Sequence, residues 1–147
     1  MNRNPVELLS EEERKAVVEA IRQVERKSSA EIRVHLESHY FSDVLDRAVA
    51  VFDRLGMRKT EARNGVLLYV ALKDRVSAII GDENVNRYVG REFWKETDRE
   101  MNAFFSEGRF TEGICGAILR IGEELQLHFP GGPEDANELP DDISYGD

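Results

Sequence analysis

Between Ala16 and Val24 apolar residues return every three or four positions, and Ser10 stands three residues ahead of Glu13, the spacing of a capping box. Together these predict a helix from about Glu11 to Lys27. Glu31-Ile32-Arg33-Val34-His35-Leu36-Glu37 then alternates strictly, which puts Ile32, Val34 and Leu36 on one face of a strand and leans the polar residues toward solvent. Ser42 and Asp43 suit the start of a second helix with the apolar stripe Val44, Leu45, Ala48, Val49, Phe52 and Leu55, and Gly56 suits a left-handed stop.

The next run, Gly65 to Leu72, is apolar at nearly every position, the pattern of a strand covered on both faces. Lys73-Asp74-Arg75 is too short for a crossover, so Val76 to Ile80 is expected to pair antiparallel with that strand. The first strand, separated from it by a helix, is expected to run parallel to it. Helices near Phe93 to Phe105 and Thr111 to Leu127 then cover the sheet. From Pro130 onward Pro, Gly, Asp and Glu dominate, a composition that buries too little apolar surface to offset its ordering entropy. The expectation is an α/β domain over 1–130, with a mixed sheet, and a mostly mobile acidic tail over 131–147.

Composition narrows the function classes. A chain of 147 residues suits one core, and 41% apolar with 33% charged residues excludes global disorder. The longest apolar run, Val66 to Leu72, is far short of the ~20 residues a membrane helix needs. The first residues show no secretory-type apolar stretch, so the expected location is cytoplasmic. Cys115 is the only cysteine, which leaves no intramolecular disulfide and no thiolate metal cluster. The net charge of −9 is concentrated in the tail, which has six acids and no base, and no basic block appears anywhere, so nucleic acid is not an expected partner.

Candidate chemistry is sparse. Gly108 and Gly113 have the spacing of a phosphate-cradling loop, but Ile114 and Cys115 follow where Lys and Ser or Thr are required, so these glycines read as an inter-helix turn. His35 and His39 lie roughly 13 Å apart along an extended strand, too far to share a metal, and they and His128 read as surface or boundary residues. Cys115 falls among apolar helix residues and reads as an inert, buried thiol. Asp82-Glu83-Asn84-Val85-Asn86 places oxygen ligands at the alternating positions of calcium loops, although Arg87 and Phe93 stand where a full loop has Gly and Glu. The same composition also caps helices. The hairpin brings Asp82, at the end of one strand, to Asn64, at the start of the other.

Arg63-Asn64-Gly65-Val66-Leu67-Leu68-Tyr69-Val70-Ala71, then Asp74-Arg75 and Ile79-Ile80-Gly81, resemble the central signature of the TPM domain family. The Phe105 to Gly113 turn and the last helix follow in the expected order, and the resemblance spans roughly Leu9 to Pro130. It implies a three-layer α/β/α sandwich around a small mixed β-sheet. Members of the family are associated with divalent-cation binding, acid phosphatase activity, photosystem repair and receptor modulation. By position it carries over Asn64, Asp82 and Glu83 as candidate metal ligands. This chain departs from the family pattern in its Gly81-Asp82-Glu83-Asn84 segment, in Arg109, and in showing no export signal or anchor, as expected of a soluble, tail-bearing member.

Three functions follow as expectations. In the first, an interaction module binds Ca²⁺ or Mg²⁺ weakly through Asn64, Asp82 and Glu83, with no organic cofactor, and engages a protein partner that the sequence does not identify. In the second, a bound divalent ion supports metal-assisted hydrolysis of phosphomonoesters, with Arg63, Arg75 or Arg87 as cationic stabiliser. In the third, Leu139, Ile143 and Tyr145 are apolar anchors by which the acidic tail docks on a basic partner.

Overall fold

The structure, a computed structural model, describes residues 9–40, 42–131 and 142–146. Helix α1 (Glu11–Glu25) precedes strand β1 (Glu31–Glu37), and helix α2 (Val44–Arg54) leads through a 3₁₀ turn (Met57–Lys59) to β2 (Gly65–Ala71). Strand β3 (Val76–Gly81) is followed by α3 (Glu83–Tyr88), α4 (Arg91–Ser106), α5 (Phe110–His128) and a short strand β4 (Ser144–Tyr145). The capping box at the start of α1 is complete: the Glu13 amide donates to Ser10 Oγ at 3.1 Å, and the Ser10 amide donates to Glu13 Oε1 at 3.0 Å. Asp43 caps α2 by accepting from the Leu45 and Asp46 amides.

The four strands lie in the order β3-β2-β1-β4. Strand β1 pairs parallel with β2, Ile32 opposite Val66, and β2 pairs antiparallel with β3, Val66 opposite Gly81, as the connection lengths predict. Because side chains alternate across a sheet, Ile32, Val34, Leu36, Val66, Leu68, Val70 and Ile79 face α1, α4 and α5 in the larger apolar layer. Leu67, Tyr69, Ala71 and Ala78 face α2 and Met57 in a smaller one. This is the three-layer α/β/α sandwich around a mixed sheet. Gly65 lets the 3₁₀ turn close in where β2 begins, since a Cβ there would stand a tight 3.0 Å from the Met57 carbonyl oxygen.

Two expectations need correction. The polar parity of β1 does not lean into solvent, for Glu31, His35 and Glu37 are all buried. Glu37 instead accepts from His35, from Arg47 of α2 and from Tyr69 of β2, so these groups bond to one another instead of to water. Nor is the tail free along its whole length. The segment 132–141 lies outside the described residues, but Ser144 and Tyr145 pair parallel with His35 and Leu36, so β4 closes the outer edge of β1. The Gly146 amide donates to the Leu36 carbonyl at 2.8 Å, and Arg14 pairs with Asp142 at 2.9 Å. Ile143 is buried in the larger core and Tyr145 packs against it, so these two anchors are used on the domain itself; Leu139 lies outside the described residues. The alternation Ile143-Ser144-Tyr145 is a two-faced strand pattern, and a composition average over the tail hides it.

Candidate functional site

The rim expected from the hairpin forms at the start of β2 and the end of β3. The Asp82 amide donates to the Gly65 carbonyl at 2.8 Å and the Asn84 amide to the Arg63 carbonyl at 3.1 Å, which stitches the two loops together on either side of Asn64. Arg63 enters the turn at φ 52°, a left-handed conformation that costs a bulky residue strain. Asn64 and Asp82 are each 1% exposed, whereas the Glu83 side chain is 61% exposed. The structure therefore brings Asn64 and Asp82 to one rim and leaves Glu83 on its solvent side.

Asp82 is also the cap of α3, so the segment read as a possible calcium loop is a helix start. Its Oδ1 accepts from the Glu83 amide at 2.8 Å and its Oδ2 from Arg63 Nε at 3.3 Å, with Arg58 3.8 Å away. Arg58 in turn pairs with Asp53 at 2.6 Å and lies over the Phe52 ring. The Asn64 amide nitrogen Nδ2 is buried without an acceptor, an arrangement that costs roughly 1–3 kcal/mol in a folded protein. Among the described residues no three His, Cys, Asp or Glu side chains gather as a metal cluster, so a cation here would draw on two carboxylates and one amide.

A second polar centre lies on the α2 side of the sheet. The Glu37 carboxylate, fully buried, accepts hydrogen bonds from His35 Nε2 at 3.0 Å, from both ends of the Arg47 guanidinium, and from the Tyr69 hydroxyl. Burial pushes this carboxyl up, but the donors His35, Arg47 and Tyr69 outweigh it and hold it down at about 2. Tyr69 is shifted the other way by burial and by the Glu37 charge. An ionised carboxylate only accepts, which places a proton on His35 Nε2, and Nδ1 lies within hydrogen-bond distance of Ser144 Oγ at 2.9 Å. The network links β1, β2, α2 and the tail.

The sequence carried a signal for this network: Glu31, Arg33, His35 and Glu37 share a parity, Arg47 falls on the next helix, and Tyr69 is the one polar tip in an apolar strand. That signal reads as solvent exposure until the sheet is assembled. His39 is half in solvent and holds Asp74 at 3.0 Å, while His128 stacks on Tyr88. Cys115 is only half-buried, and burial raises its thiol above the usual range. Among the described residues no helix is long and apolar enough to cross a membrane.

The family model for the TPM domain matches residues 3–124. The solution structure of the BA42 protein from the psychrophilic bacterium Bizionia argentinensis is similar, with 43% identity, a TM-score of 0.86, and coverage of 94% of this chain and 95% of that one. The N-terminal domain of a P. gingivalis protein shares the fold at 20% identity and a TM-score of 0.68, covering 83% of this chain and 79% of that one. So does the N-terminal domain of the cg2496 protein from Corynebacterium glutamicum, at 12% identity and a TM-score of 0.64, covering 95% and 80%. Among curated proteins none matches. With most of its length matched by the family model, and with the sandwich and hairpin described above, the chain belongs to the TPM domain family.

Proposed function

We propose that this domain is an interaction module whose Asn64, Asp82 and Glu83 rim takes a divalent cation, Ca²⁺ or Mg²⁺, with modest affinity. One observation carries the reading: a buried Asp82 beside a buried Asn64 whose amide nitrogen has no acceptor. Turned over, that amide offers its oxygen to the same rim, and hard cations take oxygen ligands. The Arg63 and Arg58 guanidinium groups then act as competitors, because a cation on Asp82 has to displace the Arg63 contact. On this reading the rim binds a cation more weakly than an all-acid cage would. Titration with CaCl₂ and MgCl₂, following backbone amide resonances, is expected to move residues 63–65 and 81–84; a flat response there at millimolar metal overturns the reading.

A second reading is favoured by Arg63 itself, which turns its guanidinium onto Asp82. Of the three arginines named as stabilisers for a metal-assisted phosphatase, it is the one beside the proposed metal ligands. When bound, a divalent ion would supply Lewis-acid activation of the ester, and Arg63 would hold its phosphate oxygens. Hydrolysis of p-nitrophenyl phosphate that depends on divalent metal and is lost in both Asp82→Asn and Arg63→Ala supports this reading. Activity that survives Asp82→Asn excludes this site as its source.

A further inference from the structure

The two edges of the sheet are treated differently. β4 covers β1, whereas β3 ends the sheet on the other side with no strand beyond it among the described residues. Since the Asp82 amide bonds to β2 and amides alternate along an antiparallel strand, Ala78 and Ile80 also point their amides and carbonyls at β2, and Ser77, Ile79 and Gly81 point theirs outward. The Gly81 carbonyl is capped by Asn86 Nδ2 at 2.8 Å. The outward backbone groups of Ser77 and Ile79 have no backbone partner among the described residues. They open into a groove of about 930 Å³ between the start of α2 and the length of α4. Such an edge is normally blocked by Lys, Pro or a bulge, and Val76–Gly81 has none of these.

The walls of the groove specify what fits. On the α2 side Val44, Leu45 and Ile80 make an apolar wall, with Leu45 55% exposed. On the α4 side, near Gly81, stand Arg91, Lys95 and Trp94, whose indole donates to Asn86. Four residues along β3, Ser77 donates to Asp98 Oδ1 at 2.6 Å. Asp98 has no cation within ion-pair distance among the described residues, and burial holds its carboxyl above the usual range. Lys95 pairs with the exposed Glu92 at 3.9 Å, so the positive charge of the Gly81 end rests chiefly on Arg91, while Asp98 makes the Ser77 end negative.

We propose that the open edge of β3 docks an extended peptide segment of a partner protein, added antiparallel as a further strand, with a basic side chain against Asp98 and an acidic one toward Arg91 and Lys95. Residues directly opposite one another share a face, so the segment places its charges opposite Gly81 and Ser77 and its apolar side chains opposite Ile80 and Ala78, against Val44 and Leu45. The site is distinct from the cation rim and needs no metal.

The probe is the capped heptapeptide Thr-Glu-Val-Thr-Val-Lys-Thr, compared with its charge-swapped form Thr-Lys-Val-Thr-Val-Glu-Thr, both titrated in EDTA so that failure of the cation reading does not affect the outcome. The first peptide is expected to shift and protect the Ser77 and Ile79 amides and to move the Trp94 indole resonance. Its affinity is expected to exceed that of the swapped peptide by about tenfold. Asp98→Asn, which keeps the Ser77 hydrogen bond, is expected to narrow that preference while leaving the fold intact. No response at millimolar peptide, or equal binding of both peptides to the wild type, overturns the proposal.

Discussion

Replacing Glu37 by Gln tests whether the buried network depends on a charge or only on shape. Glu37 is fully buried, and its partners hold its carboxyl at about 2 against an ordinary value of 4.5. The difference corresponds to about 3 kcal/mol of folding free energy, at 1.36 kcal/mol per unit. The folded state has the lower value, so this contribution is complete above the unfolded-state value of 4.5 and disappears as pH falls through about 2. Gln keeps the shape and can still accept from Tyr69 or Arg47, but its amide meets the proton on His35 Nε2 and one donor loses its acceptor. Urea unfolding of wild type and Glu37→Gln from neutral pH down to about 2 is the assay. The wild type is expected to be more stable by about 3 kcal/mol at neutral pH, with the gap closing steadily through the acid range. Other carboxylates titrate there too, but they cancel in the difference between the two proteins. A constant gap across that range would refute the reasoning, because the charge would then contribute nothing.

Other outcomes follow from the same packing. Gly122→Ala is expected to destabilise by about 1–3 kcal/mol despite the helix preference of Ala, because its Cβ would stand 2.5 Å from Val24 Cγ2 across the α1–α5 contact; thermal unfolding reads this directly. Phe52→Ala empties the centre of the smaller core and is expected to cost about 3–5 kcal/mol in urea. Ser10→Ala breaks the capping box and is expected to cost about 1 kcal/mol, with no change in the spectra of the sheet.

The helices and the hairpin were legible because they rest on local rules: periodicity for α1, α4 and α5, connection length for β2 and β3, a side-chain cap for α2. Helix ends fall within two residues of expectation for α1, Glu25 observed against Lys27 expected. The approach of the Asn64 turn to the Asp82 segment was legible for the same reason, as antiparallel register follows from a short turn and sets Asp82 against Gly65, next to Asn64. Two things were not. Asp82 could serve a calcium loop or a helix cap, and only the helical path of Glu83–Tyr88 decides for the cap. The burial of His35 and Glu37 depends on Arg47, Tyr69 and Ser144, which are 10 to 109 residues away from one or the other in sequence. A period of two identifies faces but not what covers them, and mutually satisfied polar groups leave the same pattern as solvated ones.

The network and the tail are thermodynamically linked, since Ser144 is hydrogen-bonded to the imidazole that holds Glu37. Ser144→Ala removes that hydroxyl while leaving Ile143 and Tyr145 to pack as before. A single hydrogen bond contributes about 1 kcal/mol, and in a two-residue strand this is a large share of what holds it. Release of the tail is therefore expected to increase about fivefold, read as faster amide exchange at Gly146, whose N–H bonds to Leu36. Exchange in the β2 amides, which do not depend on β4, is expected to stay unchanged. Equal acceleration at both places would mean that the tail opens only with the whole domain, and Ser144 would then be part of the global fold and not a separable latch.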